Sequence, residues 1–376
     1  MPSLASDHHG VVTVFLCGDV MIGRGVDQVL PHPSDPRIHE PYVRDARDYV
    51  ELAEHAHGPI GRGVDYAYPW GDGLALLDEI DPDVRLINLE TAVTLSDDCW
   101  RGKGINYRMH PGNVPCLTAA GIDACALANN HVLDWGYSGL RETLATLQGA
   151  GILAAGAGAD LDGAAAPAVL PTASGARVLV FSLGSESSGI PGAWAATARR
   201  PGVWLLDEAA GDSGTLAERV RAHKRPGDVA VASLHWGPNW GYEIDPAQRA
   251  LAHALIEEGG VDVVHGHSSH HAKGIEVHRG RLILYGCGDL INDYEGIAGH
   301  ESFRSDLGLM YFARLDARTG ALAALRMVPM RMRRLRLERA GPADAAWLRD
   351  RLDGEGRRLG TRLEHRANAT LVLAWP

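Results

Sequence analysis

Short apolar runs recur along the chain, and each ends in polar or glycine residues. They cover residues 11–17, 84–87, 124–128, 177–183, 229–234, 261–264 and 282–285. Short runs rich in Val, Ile and Leu are typical of strands buried on both faces. Segments 71–80, 139–149 and 246–259 lie between them and have the apolar spacing of helices. This alternation predicts a layered α/β architecture, which binds ligands beyond the carboxyl ends of its strands.

The chain of 376 residues exceeds the usual size of a single domain. We predict a main domain over residues 1–330 and an extension over residues 331–376 that packs on it. Residues 31–69 are rich in Pro, His, Arg, Tyr and Asp, which predicts an insertion. It serves either as a lid over the site or as an ordinary surface excursion. The extension is predicted to be helical from Pro342 to about His365, because proline suits a first helical turn.

The charge balance and the cysteines narrow the classes of function. The formal net charge of −11 argues against nucleic acid as a partner, because binding the phosphate backbone favours a basic face. The five cysteines include no CxxC pair, which indicates reduced thiols. Residues 1–10 are polar, and the apolar run after them is too short for a signal peptide or a membrane span. The sequence therefore predicts a cytoplasmic protein without a membrane partner.

The run 128–136 carries an amide, an imidazole and a carboxylate directly after a predicted strand. The Asn130 oxygen can ligate a cation, His131 can move a proton, and Asp134 can fix the tautomer of that histidine. This layout is typical of a catalytic loop. No GxxxxGK[ST] phosphate loop and no GxSxG nucleophile elbow occur, which disfavours P-loop NTPases and α/β-hydrolases.

Further polar residues follow other predicted strands. Asp19 and Glu90 are candidate carboxylate ligands, although a turn aspartate and a solvated glutamate are the simpler interpretations. His235 closes another run, where a lone histidine is usually structural. The segment 265–271 contains four histidines, a density that favours metal binding or catalysis, since imidazole is the commonest transition-metal ligand. The strand end at 286–293 is interpreted as structural support.

Six ordered motifs, at 18–21, 88–91, 129–136, 233–237, 266–270 and 285–289, resemble those of the poly-gamma-glutamate capsule-synthesis (CapA-type) family. That family belongs to the calcineurin-like metallophosphoesterase superfamily. The resemblance implies a calcineurin-like four-layer α/β/β/α sandwich with an insertion and a C-terminal helical extension. It also implies a metal-dependent catalytic domain with its metal centre at the strand ends.

The resemblance implies roles for individual residues. Asp19, Glu90, Asn130, His235 and His267 match metal ligands, His131 with Asp134 matches a histidine–aspartate pair, and His270 matches an additional histidine. Met21 stands where phosphoesterases have a histidine, which weakens the expectation of a complete two-metal phosphoesterase site. Where oxygen ligands dominate, Ca²⁺ or Mn²⁺ suits such a site as well as Zn²⁺.

The resemblance leaves several functions open. We interpret the chain first as an enzyme acting on a peptide, because a branch of the family that resembles it epimerises the C-terminal residue of a ribosomal lasso-type precursor. Epimerisation needs a base on each face of the α-carbon. His131 with Asp134 is one candidate, and His270 or His235, with Asp19 as carboxylate partner, is the other. The alternatives are a metal-dependent hydrolase or phosphoesterase, a poly-gamma-glutamate biosynthesis protein, and a non-catalytic accessory protein.

Overall fold

The computed structural model describes residues 10–206 and 213–376. In that part of the chain the strands are β1 (Val11–Leu16), β2 (Asp19–Val20), β3 (Val84–Leu89), β4 (Ala92–Val93), β5 (Arg108–Met109), β6 (Ala124–Ala126), β7 (Leu153–Ala155), β8 (Ala157–Gly158), β9 (Ala168–Pro171), β10 (Arg177–Ser185), β11 (Gly202–Val203), β12 (Leu205–Leu206), β13 (Val229–His235), β14 (Val263–His267), β15 (Ile275–His278), β16 (Arg281–Leu284), β17 (Asp289–Ile291), β18 (Leu307–Asp316), β19 (Leu322–Met332), β20 (Leu337–Arg339), β21 (Arg362–His365) and β22 (Leu371–Ala374). The helices are α1 (Arg47–His57), α2 (Asp72–Ile80), α3 (Pro115–Ala119), α4 (Gly136–Gly149), α5 (Leu161–Ala164), α6 (Ser213–His223), α7 (Pro246–Glu257) and α8 (Pro342–Gly356).

Most of the strands belong to two large sheets. The first has the order β17-β2-β3-β1-β18-β19-β22-β21, with β6 and β7 continuing beyond β3 and β20 beside β19. The second has the order β12-β10-β13-β14-β16-β15, with β9 beside β10. Strands β1, β3 and β6 run parallel in the first sheet, and β10, β13 and β14 run parallel in the second. The carboxyl ends of these strands therefore gather at one edge of each sheet.

The central strands of each sheet are largely buried on both faces, which explains the unbroken apolar runs. Val12 and Val14 of β1 pack with Val180 and Val231 of the second sheet, between the two sheets. Phe15 lies in the cluster on the opposite face, where the first sheet packs against α2, α3 and α4. The outer face of the second sheet packs against α6 and α7. The structure confirms the predicted four-layer α/β/β/α sandwich.

The C-terminal extension only partly follows the prediction. Helix α8 begins at Pro342 as predicted but ends at Gly356, well before His365. Strands β21 and β22 follow it, and β22 pairs with β19, so the extension lengthens the first sheet. The predicted end of the helix is therefore wrong, because the last residues pair with a distant strand. The division at residue 330 stays a prediction.

The insertion at 31–69 contains α1 and is tied to the rest of the protein by a buried ion-pair network. Glu40 accepts hydrogen bonds from Arg24 Nη1 at 3.0 Å and from the Tyr49 hydroxyl at 2.5 Å. Arg24 also donates to both carboxylate oxygens of Asp293. This network fixes the first half of the insertion beside Asp293, which follows β17. Whether the insertion acts as a lid stays a prediction.

The five cysteines are unpaired in the structure, and their reduced state stays a prediction. Across residues 10–206 and 213–376, no helix combines the length and the apolar character needed to cross a membrane.

Candidate metal centre at the strand ends

The first sheet brings together the carboxylates of Asp19 and Glu90 and the polar loop after β6. Asp19 begins β2, directly after β1, and it lies opposite Asn88 in the parallel pairing of β2 with β3. Glu90 follows β3, and the loop with Asn130 and His131 follows β6. Because these strands run parallel, residues far apart in sequence meet at one edge.

The second sheet contributes the histidines. His235 and His267 are the last residues of β13 and β14, and they lie opposite each other in that parallel pair. Ser268 then has a φ of 96°, a left-handed conformation that is strained for a residue with a side chain. Its hydroxyl donates to the Gly237 carbonyl at 3.0 Å, which holds this turn in place. The turn places His270 beside the carboxylates.

Close backbone packing brings Asp289 to the same place. A Cβ on Gly18 would lie 1.6 Å from the Gly288 carbonyl oxygen, so only glycine fits there. The Asp19 amide donates to that same carbonyl at 2.9 Å. Strand β17 therefore pairs with β2, with Asp289 opposite Asp19.

These residues form two groups of potential metal ligands that share Asp19. One group is Asp19, His235 and His267, and the other is Asp19, His270 and Asp289. Within each group the ligand atoms lie within 4.8 Å of one another. The Asp19 Oδ2 atom is buried, and among the described residues it has no hydrogen-bond partner. A buried carboxylate oxygen without a partner is costly, so this donor set fits a divalent cation.

Asn88 holds two of the carboxylates side by side. Its amide nitrogen lies 2.7 Å from both Asp19 Oδ1 and Glu90 Oε2. Burial, and secondarily the Asp289 carboxylate, raises the pKa of Asp19 to about 7. Burial, and secondarily the Asp19 carboxylate, raises the pKa of Glu90 well above its ordinary value. Crowded carboxylates of this kind are stabilised in their charged form by a cation.

His235 and His267 contact each other through their Nδ1 atoms at 2.7 Å. The other ring nitrogen of His235 lies 3.1 Å from Asn130 Oδ1, and that of His267 lies 2.9 Å from the Ser233 hydroxyl. Burial lowers the pKa of both histidines well below the ordinary value. Both imidazoles are therefore neutral at pH 7, which is the form that ligates metals.

His131 and Asp134 form the predicted histidine–carboxylate pair. His131 Nδ1 lies 2.6 Å from Asp134 Oδ2, while its Nε2 faces Glu90 Oε1 at 3.9 Å. Lys103 Nζ lies 3.3 Å from Asp134 Oδ1. Burial, and then the Lys103 charge, lowers the pKa of His131 to about 4. His131 is therefore neutral near pH 7, with Asp134 fixing the proton on Nδ1.

His270 is paired with a different carboxylate from the one predicted. Its Nδ1 lies 2.9 Å from Asp289 Oδ1, and the Asp19 side chain is instead hydrogen-bonded to Asn88. Burial acts to lower the pKa of His270, but the adjacent Asp289 carboxylate outweighs it and raises the pKa. Asn292 donates to Asp289 Oδ2 at 3.0 Å and fixes this carboxylate. The Asp19 carboxylate therefore remains available as a ligand shared by both donor groups.

Site residues from both the first sheet and the second sheet line one cavity of about 210 Å³. Glu90, Asn130, His131, His235 and His270 line it, so ligand-type and proton-transfer side chains face the same space. Asp19, His267 and Asp289 lie behind them and are buried. The eight side chains predicted from the sequence are therefore gathered in one place, with Asp134 behind His131.

Sequence reasoning missed three side chains at this site. Asp289 belongs to the segment 286–293 that was interpreted as structural support, yet it completes one of the donor groups. Lys103 lies on a loop and follows no strand, and Tyr294, which lines the cavity, lies just beyond that segment. The only sequence signal for Asp289 was its place after a glycine-rich strand end.

A four-layer α/β/β/α sandwich with carboxylates and imidazoles at its strand ends defines a calcineurin-like protein of the metallophosphoesterase superfamily. The chain belongs to the family of bacterial capsule synthesis proteins called PGA_cap, whose model matches residues 13–294.

Curated relatives carry related names. A protein of Mycobacterium tuberculosis described as a probable polyglutamine synthesis accessory protein is 53% identical over 363 residues, covering 96% of this chain and 95% of the relative. The PGA biosynthesis protein CapA of Bacillus subtilis is 26% identical over 78% of this chain and 66% of its own length. The capsule biosynthesis protein CapA of Bacillus anthracis is 25% identical over 75% of this chain and 60% of its own length.

Proposed function

We propose that this chain is a metal-dependent hydrolase that cleaves an amide bond of a glutamate-derived polymer during the synthesis of that polymer. The observation that carries the proposal is the unpartnered Asp19 Oδ2 atom, which is shared by two donor groups beside an open cavity. The names of the relatives support the polymer, since they refer to polyglutamine and PGA synthesis. The names favour the polymer-synthesis alternative over the first interpretation of the sequence.

A divalent ion bound by these residues would supply Lewis acidity for activating water and polarising a carbonyl. Asp19 would be shared, with His235 and His267 on one side and His270 and Asp289 on the other. The chain's own residues supply the rest of the site.

The His131–Asp134 pair is placed to handle protons in this reaction. His131 is neutral and lines the cavity, so its Nε2 can take a proton from water and return it to the departing amine. Asp134 holds the imidazole in the required tautomer through its hydrogen bond to Nδ1. Asn88 keeps the two carboxylates in place throughout.

The test is to incubate the protein and polyglutamate with Zn²⁺, Mn²⁺ or Ca²⁺ and to follow chain length by mass spectrometry. We expect metal-dependent shortening that is lost in Asp19→Asn and His235→Asn. The control is His55→Asn, because His55 is exposed on α1 and far in sequence from the donors. Release of phosphate from a phosphoester added to the same incubation, with the polymer left intact, would contradict amide hydrolysis. Metal binding without any turnover would indicate an accessory role.

Epimerisation of a peptide α-carbon is a second candidate, supported by one observation. His131 and His270 line the same cavity, and each is bonded to a carboxylate, as a pair of opposed bases requires. The comparisons offer no specific support for it or for a lasso-type substrate. Running the same incubation in D₂O separates the two reactions, because epimerisation adds a deuteron and a D-residue without cleavage. A cytosolic location is part of both proposals.

A further inference from the structure

A groove of about 730 Å³ lies beside the metal cavity. We call it the entrance groove, and it is lined by residues 39, 41, 44 and 97–104. Lys103 and Gly104 line both the entrance groove and the metal cavity, so the two spaces are adjacent across these residues. A chain lying in the groove therefore reaches His131 by passing Lys103.

The entrance groove carries more positive than negative charge. Arg44 and Arg101 are exposed, and within residues 10–206 and 213–376 neither has a carboxylate ion-pair partner. Asp97 is already paired with Arg108 at 2.9 Å, which leaves Asp98 as the remaining acid of the groove. The whole chain has a net charge of −11, which would repel a polyanion elsewhere on the surface. A local basic groove in an acidic protein favours an anionic ligand.

Lys103 is the cation nearest to the reacting groups. Its side chain is only 11% exposed, and its ammonium lies 3.3 Å from Asp134 Oδ1 and 3.5 Å from both His131 Nδ1 and the Ile105 carbonyl. These contacts are longer than the roughly 2.8 Å of a strong charge-assisted hydrogen bond. A largely buried ammonium with such long contacts can therefore bind an incoming anion strongly.

We propose that the entrance groove is a binding site for consecutive free carboxylates of the substrate, and that Lys103 binds the carboxylate next to the bond that enters the metal cavity. This inference rests on the proposed function and specifies its substrate. The protein would then select polyglutamate in its free-acid form over polyglutamine. The amide side chains of polyglutamine are neutral and cannot form ion pairs with Arg44, Arg101 or Lys103.

The test is a binding measurement that requires neither metal nor turnover. A short fluorescein-labelled oligo-γ-glutamate is titrated with EDTA-treated protein, and its anisotropy is compared with that of the same oligomer carrying primary amides in place of the free carboxylates. We expect the acid to bind about tenfold or more tightly, with an affinity that falls as salt is added. Equal binding of the two oligomers would overturn the inference.

Substitutions of Lys103 test whether the acid binds in the entrance groove. Lys103→Met should weaken binding of the acid about fivefold to tenfold, and Lys103→Arg should restore most of it, because the charge is kept. Arg358→Gln is the matched control, since Arg358 is exposed just beyond the end of α8 and its replacement removes the same charge from the chain. Unchanged binding in Lys103→Met, or an equal loss in Arg358→Gln, would contradict a site in the entrance groove.

The two proposals fail in different ways. Selective binding of the acid without metal-dependent cleavage would support the entrance groove and reject the hydrolase. Cleavage that does not distinguish acid from amide would support the hydrolase and reject the selection by Lys103.

Discussion

Asp19 is the residue on which both donor groups depend, and its carboxylate is poorly stabilised without a cation. Burial, and then Asp289, raises its pKa to about 7 in the metal-free protein, whereas the ordinary value is 3.8. Between these values the folded state holds a proton that the unfolded chain has lost. The stability of the metal-free protein should therefore fall as the pH rises through this window.

Replacing Asp19 with Asn should reduce that pH dependence, and Glu90, whose pKa is also raised, carries the remainder. We expect the Asp19→Asn protein, without metal, to be about 1–3 kcal/mol more stable than the native chain above pH 7, because no buried charge has to form. Urea unfolding in EDTA at about pH 5 and about pH 8 measures the difference. The control is Asp81→Asn, because Asp81 is 90% exposed and its left-handed conformation tolerates Asn. An unchanged slope in Asp19→Asn would mean that another group carries the pH dependence.

The sequence identified those site residues that directly follow a strand. Asp19, Glu90, Asn130, His235 and His267 could be expected to meet, because parallel strands place their ends at one edge. Asp289 could not be assigned in this way, since its contact with His270 depends on the pairing of β17 with β2 from opposite ends of the chain. The sequence around Lys103 has neither the helix nor the strand periodicity, and Lys103 reaches Asp134 only through the folding of its loop. The roles of all these residues stay predictions.

At the scale of elements, the junction of α8 and β21 is held by one carboxylate. Asp353 accepts hydrogen bonds from Arg362 Nε at 2.8 Å, Arg357 Nη2 at 2.9 Å and the Leu363 amide at 3.0 Å. The hydrogen bond from Arg362 is the largest of the influences that hold the pKa of Asp353 far below its ordinary value. A depressed carboxyl pKa contributes stability that is present above the unfolded value of 3.8 and is lost as the pH falls toward the folded value.

Replacing Asp353 with Asn should therefore cost stability only where the carboxylate is charged. We expect a loss of about 1–2 kcal/mol near pH 7, because both arginines are partly exposed to solvent, and a smaller difference from the native chain as the pH falls below about 3.8. Urea unfolding across this range measures it. Asp350→Asn on the same helix is the control, since Asp350 is 69% exposed and pairs with its neighbour Arg349. A loss that is independent of pH would contradict the electrostatic explanation.

The same junction shows where sequence patterns fail. Pro342 correctly marked the start of α8, because the signal for a helix start is local. The end of the helix was misplaced, because residues 362–365 form a strand through pairing with β22, which itself pairs with β19. Long-range pairing of this kind leaves little trace in a short window of sequence.

Gly18 sets the spacing between β2 and the turn before β17. Substitution with alanine would place a Cβ 1.6 Å from the Gly288 carbonyl oxygen, so the backbone must move. We expect Gly18→Ala to lower the free energy of unfolding by about 2–4 kcal/mol and to weaken metal binding, because Asp19 moves with it. Gly149→Ala is the control, since its Cβ meets no atom within 4 Å and alanine favours the helix. Chemical unfolding and a metal titration check both effects, and a Gly18→Ala protein as stable as the control would contradict the packing argument.

At the scale of the whole molecule, the fold class followed from the sequence because it depends on the alternation of apolar runs. Each run is largely buried on both faces, so its residues must be apolar regardless of which strand pairs with it. The extension of the first sheet beyond β1 was not visible, since β18 and β19 form their hairpin outside the predicted runs. Each donor group combines residues from both sheets. Asp19 and Asp289 come from the first sheet, and His235, His267 and His270 come from the second sheet and the turn after β14.

A cation bound across both sheets should therefore stabilise the protein as a unit. The donors span the chain from residue 19 to residue 289, so the unfolded chain offers no comparable site. We expect a metal at about a hundredfold excess over its Kd to add about 2.7 kcal/mol to the free energy of unfolding. Asp19→Asn and His267→Asn should each lose most of this increment.

Calorimetry with and without metal measures the increment, but a third group of potential ligands must be separated from the two at the strand ends. His253, Glu276 and His278 also offer ligand atoms within 4.8 Å of one another, on α7 and β15 of the second sheet. Arg249 already contacts Glu276 at 2.8 Å, and this competing cation disfavours a metal there. His278→Asn should therefore retain the full metal-dependent increment. If it loses the increment while Asp19→Asn keeps it, the stabilising ion binds at the His253, Glu276 and His278 cluster, and the strand-end site is not the metal centre.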